Sequence, residues 1–446
     1  MRDNLDLRKI VIAGAGAYHF APAILEDLFV RFRMNCEVWC VDADLDMAEL
    51  TARGAQALAR GFGTEARFYY TTQLKKAVFG ADAVIVCADF LSESAWKSDY
   101  EMLDEVGLGK QVRLYGGLGG LMQTLRVGDF MAKLAEEMQE FCDPSARLIL
   151  CDSSFGGMPL GRMCDAMSTM YGIPTLGISG MSEYTQEKLG LYLEVPREQL
   201  RVVTAGLSSF QWVTELTDLR SGESLIERCK KEMQEDSREE LAAQYIDFYD
   251  AIPAGTHCMQ YELLADTPLS PRRTVIYSGV GAGDYELRKR NLALLTVHGP
   301  LTPKGAAAWS QIRTSGLNTV HPVEVLRALW EPARSCTVSN LCMPCDGAVS
   351  GVPVGRFVEG PAEISGGQVR GIPAAIPVEL EDVCSQISLC NRLYAEAAVS
   401  GNRDALREGM EIDPALTGID LLYAEDVLER MMERQKEALP RFFESA

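Results

Sequence analysis

The first residues able to do chemistry stand near the amino terminus, where Lys9 to Ala13 (KIVIA) runs straight into Gly14-Ala15-Gly16. A short β-branched run is the mark of a buried strand. Pro22 with Ala23, Ile24, Leu25, Leu28 and Phe29 then gives a helix start with apolar residues at helical spacing. In a strand, glycine turn and helix of this order, the first glycine permits the sharp turn. The second lets the backbone, continuing through Ala17, approach a pyrophosphate. The third glycine of the usual fingerprint is missing and His19 takes its place, where it is a candidate acid or base beside a cofactor or substrate hydroxyl. An ordinary strand-to-helix turn is the alternative reading of the same residues.

A second apolar run, Val38 to Val41, ends at Asp42, about where a carboxylate accepts hydrogen bonds from the adenosine ribose. That favours NAD over NADP, because a 2′-phosphate would meet a negative charge in a poorly screened crevice. Asp44 could take the same role, and either residue could instead cap a helix over Leu45 to Arg60. Cys342-Met-Pro-Cys345, with Cys336 nearby, has the spacing of zinc ribbons and thiol redox centres, but a lone pair reads more readily as buried thiols. Asp152 and Asp250 are candidate proton donors or ligands, or caps. There are four histidines: His19, His257, His298 and His321. His298 and His321 lie beside glycine or proline and read as loop residues.

The elements that would position these groups alternate. Further strands are expected at Ala83 to Cys87 and Arg147 to Cys151, with an amphipathic helix around Leu125 to Phe141. The fold class expected is α/β: a Rossmann-like doubly wound parallel sheet over residues 1–180. An α+β substrate-binding and catalytic domain would follow over 181–446. A chain of 446 residues exceeds one growing core, and 47% hydrophobic with 24% charged residues is ordinary globular usage. A net charge of −20 disfavours nucleic acid and anionic membrane surfaces. The opening MRDNLDLRK is too charged for a signal peptide, and thirteen cysteines without even spacing read as reduced thiols, so a cytoplasmic location is expected.

Five stretches in order resemble the NAD-dependent family 4 glycoside hydrolases, nearest the α-galacturonidase branch. They are KIVIAGAGAYHFAPAILEDL from Lys9, TTQLKKAVFGADAVIV from Thr71, GGLGGLMQTLRVGDF from Gly116, VSNLCMPCDGAVSGVP from Val338 and SGNRDALREGMEIDPAL from Ser400. The resemblance implies a fold of the malate dehydrogenase and family 4 glycosidase type. It also implies NAD as cofactor, a small-molecule sugar or glycoside as partner, and a homodimer or homotetramer. The chemistry it implies is oxidation of a sugar at carbon 3, which acidifies the proton on carbon 2. A tyrosine-type base then removes that proton, a divalent metal steadies the enediolate, and the leaving group departs by elimination.

At the family's metal-binding places this chain departs from the pattern. Ser179-Gly180 stands for the Cys-His element, and Ser209, in Ser208-Ser209-Phe210-Gln211-Trp212, stands at the place of the metal histidine. Ser153-Ser154-Phe155 replaces a Thr-Asn-Pro whose asparagine contacts substrate, which makes Ser154 a substrate-binding candidate with Ser209. Cys342 and Cys345 replace two asparagines, while Asn340 is retained. No metal is expected to be held by the usual ligands. Gly116 to Gly120 resembles the family's glycine-rich turn near the nicotinamide, which marks Gly117 and Gly119 as cofactor-binding. The planar fork of Arg126 suits an anionic sugar substituent, or it simply faces solvent. In Ala251 to Leu264 the resemblance matches His257 to the family histidine and Tyr261 to the aromatic, with Gln260 replacing the acidic residue. Catalysis is assigned to Tyr261, His257 and Asp152. The alternatives are a sugar dehydrogenase or epimerase without bond cleavage, and a non-catalytic NAD- or sugar-binding homologue.

If Tyr261 is the base, Tyr261→Phe leaves folding and NAD affinity intact while exchange of the carbon-2 proton slows by about 10²- to 10⁴-fold. Turnover that stays near wild type, measured by deuterium uptake into substrate, would remove Tyr261 from the mechanism.

Overall fold

A computed structural model of the chain describes residues 7–111, 116–152, 157–255, 260, 264, 281–314 and 321–443. His257, Tyr261 and Ser154 lie outside the described residues.

Six parallel strands form the first half of the sheet: β1 (Arg8–Ala13), β2 (Cys36–Val41), β3 (Ala66–Thr71), β4 (Ala83–Val86), β5 (Arg147–Cys151) and β6 (Thr175–Ile178). Their order is β3-β2-β1-β4-β5-β6, the arrangement expected of right-handed crossovers on both sides of a starting strand. Alternation along each strand feeds two cores. Ile10, Ile12, Ala83, Ile85 and Ile149 face one layer of helices, and Val11, Ala13, Val84, Val86, Leu148 and Leu150 face the other. Both faces are therefore dry, as a doubly covered sheet requires. β3 (ARFYYT) lacks the apolar continuity of the others and escaped sequence reading. It is an edge strand whose Tyr69 and Tyr70 are exposed, with Tyr69 stacked on Trp39 at 4.7 Å.

The sheet does not stop at residue 180. β6 joins β9 (Ser335–Pro344) through Gly177 and Cys342, running antiparallel. Beyond β9 follow β10 (Phe357–Ser365), β7 (Leu200–Leu207) and β8 (Phe210–Asp218), while β11 (Gln368–Gly371) pairs with β10. The expected division after residue 180 thus falls at Gly180, the left-handed residue before the helix Met181–Tyr192, within a single continuous sheet. Among the described residues, no helix is long and apolar enough to cross a membrane.

The helix expected around Leu125 to Phe141 begins earlier and spans Gly117–Phe141. The glycine-rich stretch is therefore its first turn, capped by Gly116, rather than a free turn. A Cβ on Gly117 would meet Gln111 Oε1 at 2.2 Å, and φ there is +61°, so the backbone shape favours glycine. Further along, Gly128 lets this helix touch the helix Glu381–Ser400, because an added Cβ would sit 2.3 Å from the Ala398 carbonyl oxygen. Gly128→Ala should push the two helices apart and cost about 1–3 kcal/mol. A thermal midpoint equal to wild type would show that the contact yields without strain.

Candidate functional site

The carboxyl ends of the parallel strands meet along one edge, where ligands of open α/β sheets bind. Around β1, β2 and β4 lies a cavity of about 660 Å³ lined by Gly14, Gly16, Ala17, Asp42, Asp44, Asp89, Phe130, Tyr285 and Lys289 among others. Gly14 has φ +84°, and a Cβ there would lie 2.3 Å from Ala88 Cα; one on Gly16 would lie 2.0 Å from Met47 Cγ. Both glycines are thus forced by close packing of the turn. Asp42 Oδ2 accepts from the Gly16 amide at 2.9 Å and its Oδ1 from the Asp44 amide at 3.0 Å. Burial raises its pKa. Asp44 caps the helix Leu45–Phe62 and pairs with Lys289 at 2.6 Å, which is the capping role the sequence left open between the two residues. The cradle suits a dinucleotide: a turn without side chains, with a carboxylate at the end of β2.

His19 lies just beyond this turn, its Nδ1 4.0 Å from Asp89 Oδ1. Burial lowers its pKa, Asp89 opposes that and Arg288 reinforces it. Gly117 and Gly119 are not among the residues lining the cavity. Arg126 is not gathered there either. Its guanidinium pairs with Asp99 at 2.9 Å and donates to Gln435 and Gln123, which ties the helices Glu93–Glu105 and Leu421–Arg434 to Gly117–Phe141. Arg126 is thus largely withdrawn from solvent and paired within the fold.

A second cluster lies at the ends of β5 and β6, where the antiparallel strands cross behind them. At its centre is Glu359, fully buried on β10. Its Oε2 accepts from Ser179 Oγ at 2.6 Å and Gln211 Nε2 at 2.7 Å, and its Oε1 from Ser208 Oγ. Gln211 Oε1 in turn accepts from Asn340 Nδ2 at 2.6 Å and Thr204 Oγ1 at 2.9 Å. Burial raises the pKa of Glu359 while the three donors lower it. Asp152, at the end of β5, accepts from the Met158 amide at 3.2 Å. Burial pushes its pKa well up; the Met158 bond opposes this, and the charges of Glu359 and Asp89 add to the rise.

Ser209 occupies the two-residue β7–β8 turn with φ +64°. It is the neighbouring Ser208, not Ser209, whose hydroxyl reaches Glu359. Gln260 Nε2 donates to the carbonyls of Gln211 (2.7 Å) and Ala254 (3.3 Å), a pair of bonds that an ionised acid at this position could not make. Cys342 and Cys345 are buried. The Cys342 thiol is pushed well up by burial, and Cys345 Sγ faces the Val349 and Val352 carbonyls. Asp250 ends the helix Glu240–Tyr249 and pairs with Lys230 at 2.7 Å. His298 closes the helix Ala282–His298, and His321 Nδ1 lies 2.8 Å from the buried Asp27. Among the described residues, no three His, Cys, Asp or Glu side chains gather as a metal site. Ser179, standing where the family has a thiolate, and Ser208, beside the place of the missing imidazole, are engaged with Glu359, so the described donor set does not fit the family's metal.

Residues 9–190 match the model of the family 4 glycosyl hydrolases and residues 204–416 that of the family's C-terminal domain. The chain belongs to family 4. Among curated proteins it is 24% identical over 471 residues, 98% of each chain, to a "Probable 6-phospho-beta-glucosidase" of Bacillus subtilis (strain 168). It is 21% identical to an alpha-galacturonidase of Thermoanaerobacterium saccharolyticum (strain DSM 8691 / JW/SL-YS485), with 96% of each chain covered. A 6-phospho-alpha-glucosidase from gut microorganisms, solved with NAD and glucose-6-phosphate, superposes with a TM-score of 0.74 at 18% identity, covering 98% of this chain and 99% of the other. These relatives are thus matched over nearly their whole length, and the fold is shared.

Glu359, Gln211 and Asp89 were missed in the sequence. The available signal was Glu359 itself, a charge inside the apolar run Phe357-Val358-Glu359-Gly360. Asp152 has a folded pKa above its unfolded value of about 3.9, so the native state holds its proton longer than the unfolded chain. Stability is then fully present below that range and is lost as pH rises toward the folded value. Asp152→Asn keeps an acceptor for Met158 and removes the charge. It should raise the melting temperature at pH 8 and by less at pH 5. A variant less stable than wild type at pH 8 would contradict the buried, charge-averse carboxyl.

Proposed function

We propose that this family 4 chain is an NAD-dependent glycosidase that cleaves a glycoside by oxidation at sugar carbon 3 and elimination, without the Cys/His metal centre. The observation that carries the metal-free part is the engagement of Ser179 and Ser208 with Glu359. The hydroxyls at and beside the places of the missing thiolate and imidazole serve a buried carboxyl. The cofactor reading is supported by the Gly14–Gly16 cradle and Asp42, and by relatives solved with NAD. When bound, NAD supplies the hydride acceptor that makes the carbon-2 proton acidic.

In this reading the chain's own residues do the rest. Asp42 holds the ribose hydroxyls, and Tyr261 takes the carbon-2 proton. His257 orients or protonates the sugar. Asp152, held toward its neutral form by burial, can donate a proton near the ends of β5 and β6. Ser154, Ser209 and Asn340 are assigned to the sugar, and a buried, hydrogen-bonded amide network holds Asn340 in place. The reading includes a cytoplasmic location and a homodimeric or homotetrameric assembly.

Purified full-length protein, given NAD and a panel of nitrophenyl glycosides in deuterium oxide, should release nitrophenol and place deuterium at carbon 2, with no loss in EDTA. Activity abolished by EDTA and restored by manganese would overturn the metal-free reading. Accumulation of NADH without nitrophenol would replace hydrolysis with a sugar dehydrogenase or epimerase.

A further inference from the structure

The amides of the glycine turn are all engaged, and the partners differ in kind. Gly14 and Ala15 donate to the Val41 carbonyl at 2.8 and 3.0 Å, and Ala17 to the Gly14 carbonyl at 2.9 Å. These acceptors are backbone and move only with the strands. The other two amides meet carboxylates: Gly16 donates to Asp42 Oδ2, and Tyr18 to Asp89 Oδ2 at 2.8 Å. Asp42 is also held by the Asp44 amide. Asp89 follows β4, and Ala88 packs so tightly on Gly14 that a Cβ there would lie 2.3 Å from Ala88 Cα. The next side chain is thereby placed over the turn. Asp89 is thus an anion seated on an amide that a dinucleotide pyrophosphate would use.

The same Oδ2 accepts from the Tyr285 hydroxyl at 2.8 Å, so Asp89 also links the helix Ala282–His298 to the end of β4. One turn along that helix, Arg288 donates to the Ala17 carbonyl at 3.1 Å and to that of Tyr18. Its guanidinium lies 5.0 Å from the Tyr18 ring. Asp89 is therefore faced by Tyr18, Tyr285, His19 and Arg288, with Asp42 and Asp152 as like charges nearby.

We propose that Asp89 is an internal competitor for the cofactor: it occupies the Tyr18 amide in the free protein and swings away when a dinucleotide pyrophosphate binds. This rests on the dinucleotide reading of the cavity. Displacement breaks the bond from the Tyr285 hydroxyl to Asp89 and leaves Arg288 still bonded to the turn. Apparent affinity falls by the fraction of molecules in which the amide is open, so Asp89 sets cofactor affinity without touching the sugar.

The test titrates full-length wild type, Asp89→Asn, Asp89→Ala and Tyr285→Phe with NAD by calorimetry, and with inorganic pyrophosphate by thermal shift. Removing the charge should tighten NAD binding about tenfold or more. Tyr285→Phe, which keeps the charge but removes one donor holding it, should tighten binding by a smaller factor. Pyrophosphate should stabilise Asp89→Ala more than wild type. Weaker or unchanged binding of both ligands by the Asp89 variants, in protein that melts cooperatively, overturns the proposal and makes Asp89 a brace of the turn. If no variant binds NAD, yet pyrophosphate stabilises Asp89→Ala alone, the displaceable anion stands and the NAD reading falls.

Discussion

A parallel sheet covered on both faces leaves its polar backbone nowhere to go but the strand ends. Ile10 and Ile12 are sealed under one layer and Val11 and Ala13 under the other, so β1 can present chemistry only where it stops, at Gly14. The same holds for β2 at Asp42, β4 at Asp89, β5 at Asp152 and β6 at Ser179. One constraint, dryness on two faces, therefore lines up a glycine turn, three aspartates and a serine along a single edge. The cavity and the buried cluster are neighbouring parts of that edge.

What distinguishes this edge is its burden of carboxyl groups. A carboxylate taken from water without a partner is costly, and the fold answers in two ways. Glu359 is surrounded by hydroxyl and amide donors, which stabilise charge, while burial opposes it. Among the described residues Asp152 accepts from the Met158 amide alone and feels two other acids, so burial dominates. Burial therefore raises the pKa of both acids, with three donors offsetting part of the rise at Glu359 and the neighbouring charges adding to it at Asp152. Ser179, standing where the resemblance puts a thiolate, belongs to the first of these environments.

Asp89 and Asp42 carry the same theme to the cofactor cavity. Each uses a carboxylate to fasten an amide of the turn, yet only Asp89 reaches across to a second element through Tyr285. The helix Ala282–His298 is bound to the turn twice, by Arg288 on carbonyls and by Tyr285 on Asp89. Any change at the turn is thereby felt on the helix that forms the far wall of the cavity.

Much of the fold was legible in the chain itself, because its signals are local. β5 was read at its observed bounds and β1 and β4 to within one residue. Gly14 and Gly16 could be read as a turn because a strand and a helix flank them within a few positions, and Asp42 because it ends the very next strand. β3 was not legible: an edge strand needs no continuous apolar run. The start of the helix Gly117–Phe141 was hidden by its own glycines, which are poor helix formers, and at Gly117 the backbone has φ +61° with Gln111 against it. The candidate site was legible as a set of substitutions, Ser179 and Ser209 foremost, but not as a geometry. Arg126 meets Gln435 across 309 positions, Asp89 meets Tyr285 across 196, and Ser179 meets Glu359 across 180. Nothing local ties such pairs together. Residue type and spacing along the chain determined the strands, the turn and the family. Only the return of β9, β10, β7 and β8 onto the free side of β6 decided that a buried glutamate would fill the space between two serines, because that contact exists only once distant strands have been paired.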